Sequence, residues 1–380
     1  MDDDAKWSRF ERWLETHQVT QWKQLLSLEH YDDGYRTFHA KKPISKGSIL
    51  LEIPDLLLIT GNKVSKWLER KNWISHKPIS GVPGILLVSI FLFLESREED
   101  SFWKPYLEVL PTSYDLLFLF QDSLLRSFVM EADIIPKVES TRRILRDTFQ
   151  RYVIPHCYVD DRDKWVVLFK EFVRCYCAVV SRICFLPGDI AGALVPLGDM
   201  FNHEALDVPM DTVYAKWERG YYVFRAHRNF SIGTQVFVSY GACSNTELLL
   251  YYGFTLNENP WDTLTFYPHE LDIKLNEKVI LDRQGFSVNL LTAISNDCDE
   301  ADVDNLVNET NCARLYDICS LLETRESNIL VELEKVERNQ RRVRLLKSWI
   351  RGRLELLRIV KDMYRNINQV GHIQQVNFSK

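Results

Sequence analysis

Two short stretches decide the reading of this 380-residue chain: Leu194-Val195-Pro196-Leu197-Gly198-Asp199-Met200-Phe201-Asn202-His203, and Phe237-Val238-Ser239-Tyr240-Gly241. The first places Asp199, Asn202 and His203 within five residues, just after a β-like run. An asparagine amide offers both donor and acceptor, which suits an adenine edge or an amino-acid zwitterion. The second ends in Tyr240 beside a glycine, and Ser244-Asn245 and Tyr251-Tyr252-Gly253-Phe254 follow it. Taken singly, an Asn-His pair reads as a turn or a capped helix, and a tyrosine beside glycine reads as packing.

Outward from these stretches the chain alternates β-rich and helical blocks. Residues 7–28 repeat Trp7, Phe10, Trp13 and Leu14 at helical spacing. Residues 37–40 and 48–53 have strand character around the turn Pro43-Ile44-Ser45-Lys46-Gly47, and Pro54 ends them. From 62 to 181 the pattern is helical, with Leu86, Leu87, Ile90, Phe93 and Leu94 on one face. Residues 213–217 and 221–225 flank Glu218-Arg219-Gly220, a hairpin signal, and residues 234–240 form another β-run. The last ~110 residues are largely helical. Neither β block has enough strands for a stable sheet alone. The pattern predicts that the two blocks meet in one sheet system, with a helical insertion between them.

Composition removes several function classes. The net charge is −6, and 46% of residues are hydrophobic, which places the chain among globular proteins. The longest apolar run, 85–94, is half of the ~20 residues a membrane span needs. Met1-Asp2-Asp3-Asp4 opens the chain without an apolar signal region, so the eight cysteines are expected as reduced thiols in the cytosol or nucleus. No Cys-x-x-Cys pair stands anywhere, so no metal site is expected. Neither a Gly-x-Gly-x-x-Gly nor a Walker loop is present. One charge anomaly stands out. Residues 335–365 hold eleven Lys or Arg against three acids, an excess of eight in an acidic chain. Val343, Leu346, Ile350, Leu354 and Leu357 form an apolar stripe there, so the bland reading is a solvated helix face. The sharper reading is a docking surface.

Taken together and in order, the motifs resemble the SET-domain methyltransferases, in particular the branch similar to plant Rubisco large-subunit lysine methyltransferase. The resemblance rests on Pro196-Leu197-Gly198-Asp199 through Asn202-His203, on Tyr240-Gly241 followed by Asn245 and Tyr252-Gly253-Phe254, and on Ser181-Arg182. Phe102-Trp103-Lys104-Pro105-Tyr106 and Leu110-Pro111 add to it. Within the branch the chain looks most like the animal SET-domain-4-type lysine methyltransferases. The resemblance implies an α+β fold: a SET catalytic domain over 1–260 with the insertion at about 62–181, then an all-α substrate-binding domain over 261–380.

It also implies roles. Gly34, Tyr35 and Arg36 match the segment whose backbone cradles S-adenosylmethionine, and Arg182 matches an arginine facing the cofactor carboxylate. Asp199, Met200, Phe201, Asn202 and His203 match the segment that binds adenine and the methionine amino group. Tyr252, Gly253 and Phe254 match the aromatic end of the cofactor and lysine channel. Tyr240 matches the catalytic tyrosine. One departure is Thr37, where the family carries a glycine. The implied activity is S-adenosylmethionine-dependent methylation of a lysine on a histone, ribosomal or cytosolic protein. A monomer is expected, without membrane or direct nucleic-acid binding. Two alternatives stand beside it. One is a non-catalytic SET-like module docking through the basic C-terminal helix. The other is a histidine methyltransferase, a subgroup that has Asn where this chain has Cys184 and Trp where it has Gly198.

Overall fold

The computed structural model describes residues 3–31, 35–70, 81–129, 133–157, 161–206, 214–268, 277–295, 309–338 and 340–370, with 273 and 275 singly. The chain forms two compact units, 1–114 with 143–241, and 115–142 with 242–380. The second unit therefore starts at 242, and it takes residues 115–142 out of the helical insertion.

In the first unit the strands are β1 (Leu26–His30), β2 (Arg36–Ala40), β3 (Ile49–Pro54), β4 (Ile59–Thr60), β5 (Ala193–Leu194), β6 (Asn202–His203), β7 (Ala215–Glu218), β8 (Tyr221–Arg225) and β9 (Gln235–Val238). They form sheets ordered β1-β2-β9-β6, β3-β8-β7 and β4-β5. The two β blocks do meet: Phe38 pairs with Val236, Ile53 with Tyr222, and Ile44 bridges to Phe230. The β7–β8 hairpin turns on Arg219 and Gly220, both at positive φ (50° and 86°), as a two-residue hairpin of this hand requires.

The expected helix over 7–28 is shorter. It spans Asp3–Thr16; Gln18 then takes φ 63°, and after the short turn Gln21–Gln24 the chain enters β1, a strand that periodicity alone had not marked. Leu26-Ser27-Leu28 had been absorbed into the helical spacing, but β2 offers these residues a ladder from Leu26↔Ala40 to His30↔Arg36, and tertiary pairing decides.

The insertion leaves through β4 and returns through β5, and these two strands pair with each other. Asp189 reinforces the closure. Its carboxylate accepts from the N–H groups of Gly61 and Asn62 at 2.9 Å each, and from Ala191 and Gly192 on the returning side. The helix Gly84–Glu95 is apolar all round and buried from Leu86 to Glu95, as a central helix must be. The helix Arg162–Val180 starts on Asp161, whose side chain accepts from the Lys164 N–H at 2.8 Å. It ends at Ser181-Arg182, one step before the loop back to β5.

The second unit is largely helical, but it is not all-α. A three-stranded sheet, β10 (Leu264–Phe266), β11 (Val279–Asp282) and β12 (Gly285–Phe286), packs into one core with the helices Val288–Ile294, Glu309–Glu334 and Gln340–Val370. Strands of two to four residues carry too little alternation to stand out in sequence. No helix among the described residues is long and apolar enough to cross a membrane.

Candidate active site

β6 lies parallel to β9, with Asn202 opposite Phe237 and His203 opposite Val238. That single pairing joins the two decisive stretches, because Tyr240 follows β9 directly. The Tyr240 N–H donates to His203 Nδ1 at 3.0 Å, and the two rings stack with centroids 4.9 Å apart. The Tyr240 hydroxyl donates to the Phe201 carbonyl at 2.6 Å. The Asn202 amide donates to the Arg36 carbonyl at 2.8 Å, so the end of the long loop is tied to the first β block. Thr37, standing for the family's glycine, is a buried strand residue paired with Glu29. No positive φ is required of it, so the backbone tolerates a side chain there.

Since His203 Nδ1 accepts a hydrogen bond, the neutral ring carries its proton on Nε2. Burial pushes its pKa down to about 4. An unfolded chain would take up this proton near 6.5, so between about 6.5 and 4 the unfolded state binds more protons than the folded one. Stability is therefore full above that window and is lost as pH falls through it, by on the order of 3 kcal/mol. Thermal melts across this range should show the loss in the native protein and a shallower one in His203→Asn. Parallel curves would mean that His203 does not titrate as a buried neutral group.

Beneath this strand pair lies a buried charge cluster. The Asp199 carboxylate is fully buried and accepts from the Tyr106 hydroxyl. Arg182 Nη1 donates to the Asp199 carbonyl at 2.7 Å and stands 4.0 Å from Oδ1. Burial raises the Asp199 pKa, and Arg182 opposes the shift. Burial works most strongly against the Arg182 charge, but Asp199 together with the phenols of Tyr114, Tyr106 and Tyr240 outweighs it, and the guanidinium stays cationic. Arg36 is lowered to about 10 by burial and by Arg182; it donates to the Val109 carbonyl at 2.8 Å and covers the Trp7 ring. Tyr114 lies beside Arg182, and burial pushes its phenol up to about 12.

Arg182 Nε, Asp199 Oδ1 and the Tyr114 hydroxyl are buried without a hydrogen-bond partner among the described residues. Native interiors rarely leave such groups unpaired. A ligand carrying both an anionic and an amino group would satisfy the donors and the carboxylate together. Leu197, two residues before Asp199, holds φ 73°, a costly conformation for a branched side chain. Gly198 packs so closely that a Cβ there would stand 2.3 Å from the Phe224 ring.

The other expected residues fall as follows. Met200 and Phe201 are core side chains, Phe201 lying 4.5 Å from the Phe38 ring, and Phe201 meets Tyr240 through its backbone carbonyl. Tyr35 is exposed, its ring 5.9 Å from Tyr31. Gly34 and Val213 lie outside the described residues. Tyr252, Gly253 and Phe254 belong to the second unit. There Gly253, at φ 80°, follows the helix Asn245–Tyr251 and sits against the Asp115 backbone, where a Cβ would come within 2.9 Å. Tyr106 and Tyr114 were not among the site residues read from sequence. Tyr106 had a signal only in the Phe102–Tyr106 segment of the resemblance, since nothing local ties it to an aspartate 93 positions away, and Tyr114 had none.

The family model described as the SET domain matches residues 36–241. The chain is 28% identical over 278 residues to Protein SET DOMAIN GROUP 40 of Arabidopsis thaliana, covering 65% of this chain and 55% of that protein. It is 25% identical over 283 residues to SET domain-containing protein 4 of Mus musculus, covering 67% and 62%. It is 24% identical over 233 residues to the actin-histidine N-methyltransferase of Homo sapiens, covering 59% and 38%. The chain thus spans between about two fifths and three fifths of these relatives' length. Among solved structures it matches the SET domain of LSMT bound to lysine and AdoHcy with a TM-score of 0.64 at 19% identity, over 97% of this chain and 93% of that one. Rubisco LSMT bound to AdoMet matches with a TM-score of 0.61 at 18% identity, over 96% and 92%. Those two likenesses are of fold.

Proposed function

The chain belongs to the SET-domain family, and from that premise we propose that it is a protein-lysine N-methyltransferase using S-adenosylmethionine. The observation that carries the proposal is the convergence of Tyr240, His203 and Asn202 on one parallel strand pair, with unpaired buried polar groups next to it. S-adenosylmethionine, when bound, supplies a methyl group on a sulfonium. Arg182 and Tyr114 would hold its carboxylate, Asp199 its amino group, and Asn202 with His203 the adenine side.

The protein's own part is alignment and desolvation. The Tyr240 proton is committed to the Phe201 carbonyl, so the phenol oxygen keeps lone pairs with which to orient an acceptor N–H. A lysine amine has a reference pKa of about 10.4, and burial beside cations lowers it toward the neutral, nucleophilic form. Holding two reactants in line is worth up to several kcal/mol.

Lysine is favoured over histidine by two positions. The space that a tryptophan would need at Gly198 is taken by the Phe224 ring. Cys184 presents a thiol whose pKa burial pushes up to about 12, in place of a polar amide. The actin-histidine relatives keep histidine as the second reading. Radiolabelled methyl transfer into a fractionated lysate, with the acceptor residue identified by mass spectrometry, decides between them. Methyl-histidine alone would overturn the lysine assignment, and no transfer together with no S-adenosylmethionine binding would overturn the enzyme.

Asn202→Ala tests the cofactor side. It removes a hydrogen-bonding amide and leaves the Arg36 carbonyl without its partner, at ~1 kcal/mol or more per bond. Calorimetry should show S-adenosylmethionine affinity about tenfold lower or worse in a folded protein. Unchanged affinity would remove this segment from the binding site.

A further inference from the structure

The excess of positive charge at 335–365 resolves residue by residue within the second unit. Arg341 and Arg342 share Asp115, at 2.6 and 3.2 Å. Arg353 is buried against Glu326 at 3.0 Å. Arg358 and Lys361 share Glu323, at 3.1 and 2.9 Å. Lys335 pairs with Glu332, and Arg365 lies 3.7 Å from Asp362. Even Glu355, a carboxylate on the helix Gln340–Val370, faces a cation elsewhere, Arg283 at 4.0 Å.

Arg338, just before this helix, and three cations on it are left over. Among the described residues, Arg344, Lys347 and Arg351 make no ion pair or side-chain hydrogen bond. Their spacing is i, i+3, i+7, so they share one face over about 10 Å, on the side away from the buried Leu346, Trp349 and Arg353. No Asp or Glu occurs from Gln340 to Gly352. Like charges at these spacings repel, so the arrangement does nothing for the fold itself.

We propose that Arg344, Lys347 and Arg351 dock an acidic segment of the protein substrate; this rests on the methyl-transfer reading above. Carboxylates at matching spacing would relieve the repulsion, and the two guanidinium groups can each take one in a forked pair. A nucleic acid fits less well. Nucleic-acid binding draws its affinity from an extended set of phosphate contacts, or from exposed aromatic rings on which bases stack. Here three cations stand alone, the neighbouring Trp349 is buried, and the chain as a whole is acidic.

The test is fluorescence anisotropy with a labelled peptide of glutamates alternating with alanine, at low and high salt. The protein should bind it, and binding should weaken as salt rises. The triple variant Arg344→Gln, Lys347→Gln, Arg351→Gln should bind about tenfold more weakly. A control with the same loss of charge at exposed positions elsewhere, Lys137→Gln, Arg143→Gln, Arg219→Gln, should bind as the native protein does. Equal weakening in both variants, or tighter binding of a single-stranded oligonucleotide than of the peptide, overturns the proposal. Lysate methylation by the native protein and the triple variant, with S-adenosylmethionine affinity measured on the same samples, extends it. Bands that fade in the variant at unchanged cofactor affinity support docking, and an unchanged band pattern overturns it. Absence of methylation by the native protein would count against the enzyme, while the peptide result would still report on the stripe.

Discussion

Arg182→Ala is expected to cost the folded protein about 3–5 kcal/mol at neutral pH. The mutation leaves the Asp199 carboxylate fully buried, still accepting from the Tyr106 hydroxyl but without the cation that acts on it most strongly. A buried charge without its counter-ion is worse than no charge at all, so the loss exceeds that of an ordinary hydrogen bond. Burial already raises the Asp199 pKa, so without Arg182 the group takes up a proton more readily. Denaturant unfolding should therefore show the deficit shrinking toward acid pH. The double replacement Arg182→Met, Asp199→Leu should recover much of the stability, because it removes both charges. An Arg182→Ala protein within 1 kcal/mol of native at every pH would mean that solvent reaches this cluster.

Tyr240→Phe separates turnover from binding at one atom. The ring keeps its stack on His203 and the backbone keeps its bond to Nδ1. Only the hydroxyl goes, and with it the bond to the Phe201 carbonyl. That carbonyl is left with one partner fewer, so the melting temperature should fall slightly, by ~1 kcal/mol in stability. If the phenol oxygen orients the acceptor, its contribution is made in the transition state. Methyl transfer should then fall at least about a hundredfold, or ~2.7 kcal/mol, with S-adenosylmethionine affinity nearly unchanged. Single-turnover rates and cofactor titration on the same samples make the comparison. Native rates in the mutant would reduce Tyr240 to a packing residue.

The parts of this site that could be read in sequence are those whose chemistry is local. Asn202-His203 and Tyr240 announce themselves because polar groups crowd a β-like run or a glycine, and strand alternation on both sides shows that two β blocks must pair. What could not be read arises from distance. Tyr106 sits on a five-residue helix whose pattern is ordinary, and only the return of the insertion brings it to Asp199. β1 was hidden for the opposite reason: its apolar residues also fit the helix before it, until Gln18 breaks the turn. Thr37 departs from the family's glycine at no cost in backbone strain, because the chain there runs as a regular strand.

The bond from Asn202 to Arg36 reaches across 166 residues, and β2 meets β9 later still. During synthesis at roughly 5–20 residues per second, the first strands therefore wait about ten seconds or longer for their partner. Throughout that interval β2 carries one unpaired edge, which can template pairing with a neighbouring nascent chain. Closing so large a loop also slows the final step relative to local helix formation in the insertion. A fragment released before Gln235 would thus keep an open sheet margin for its whole lifetime, and its fate in the cell would be clearance or aggregation.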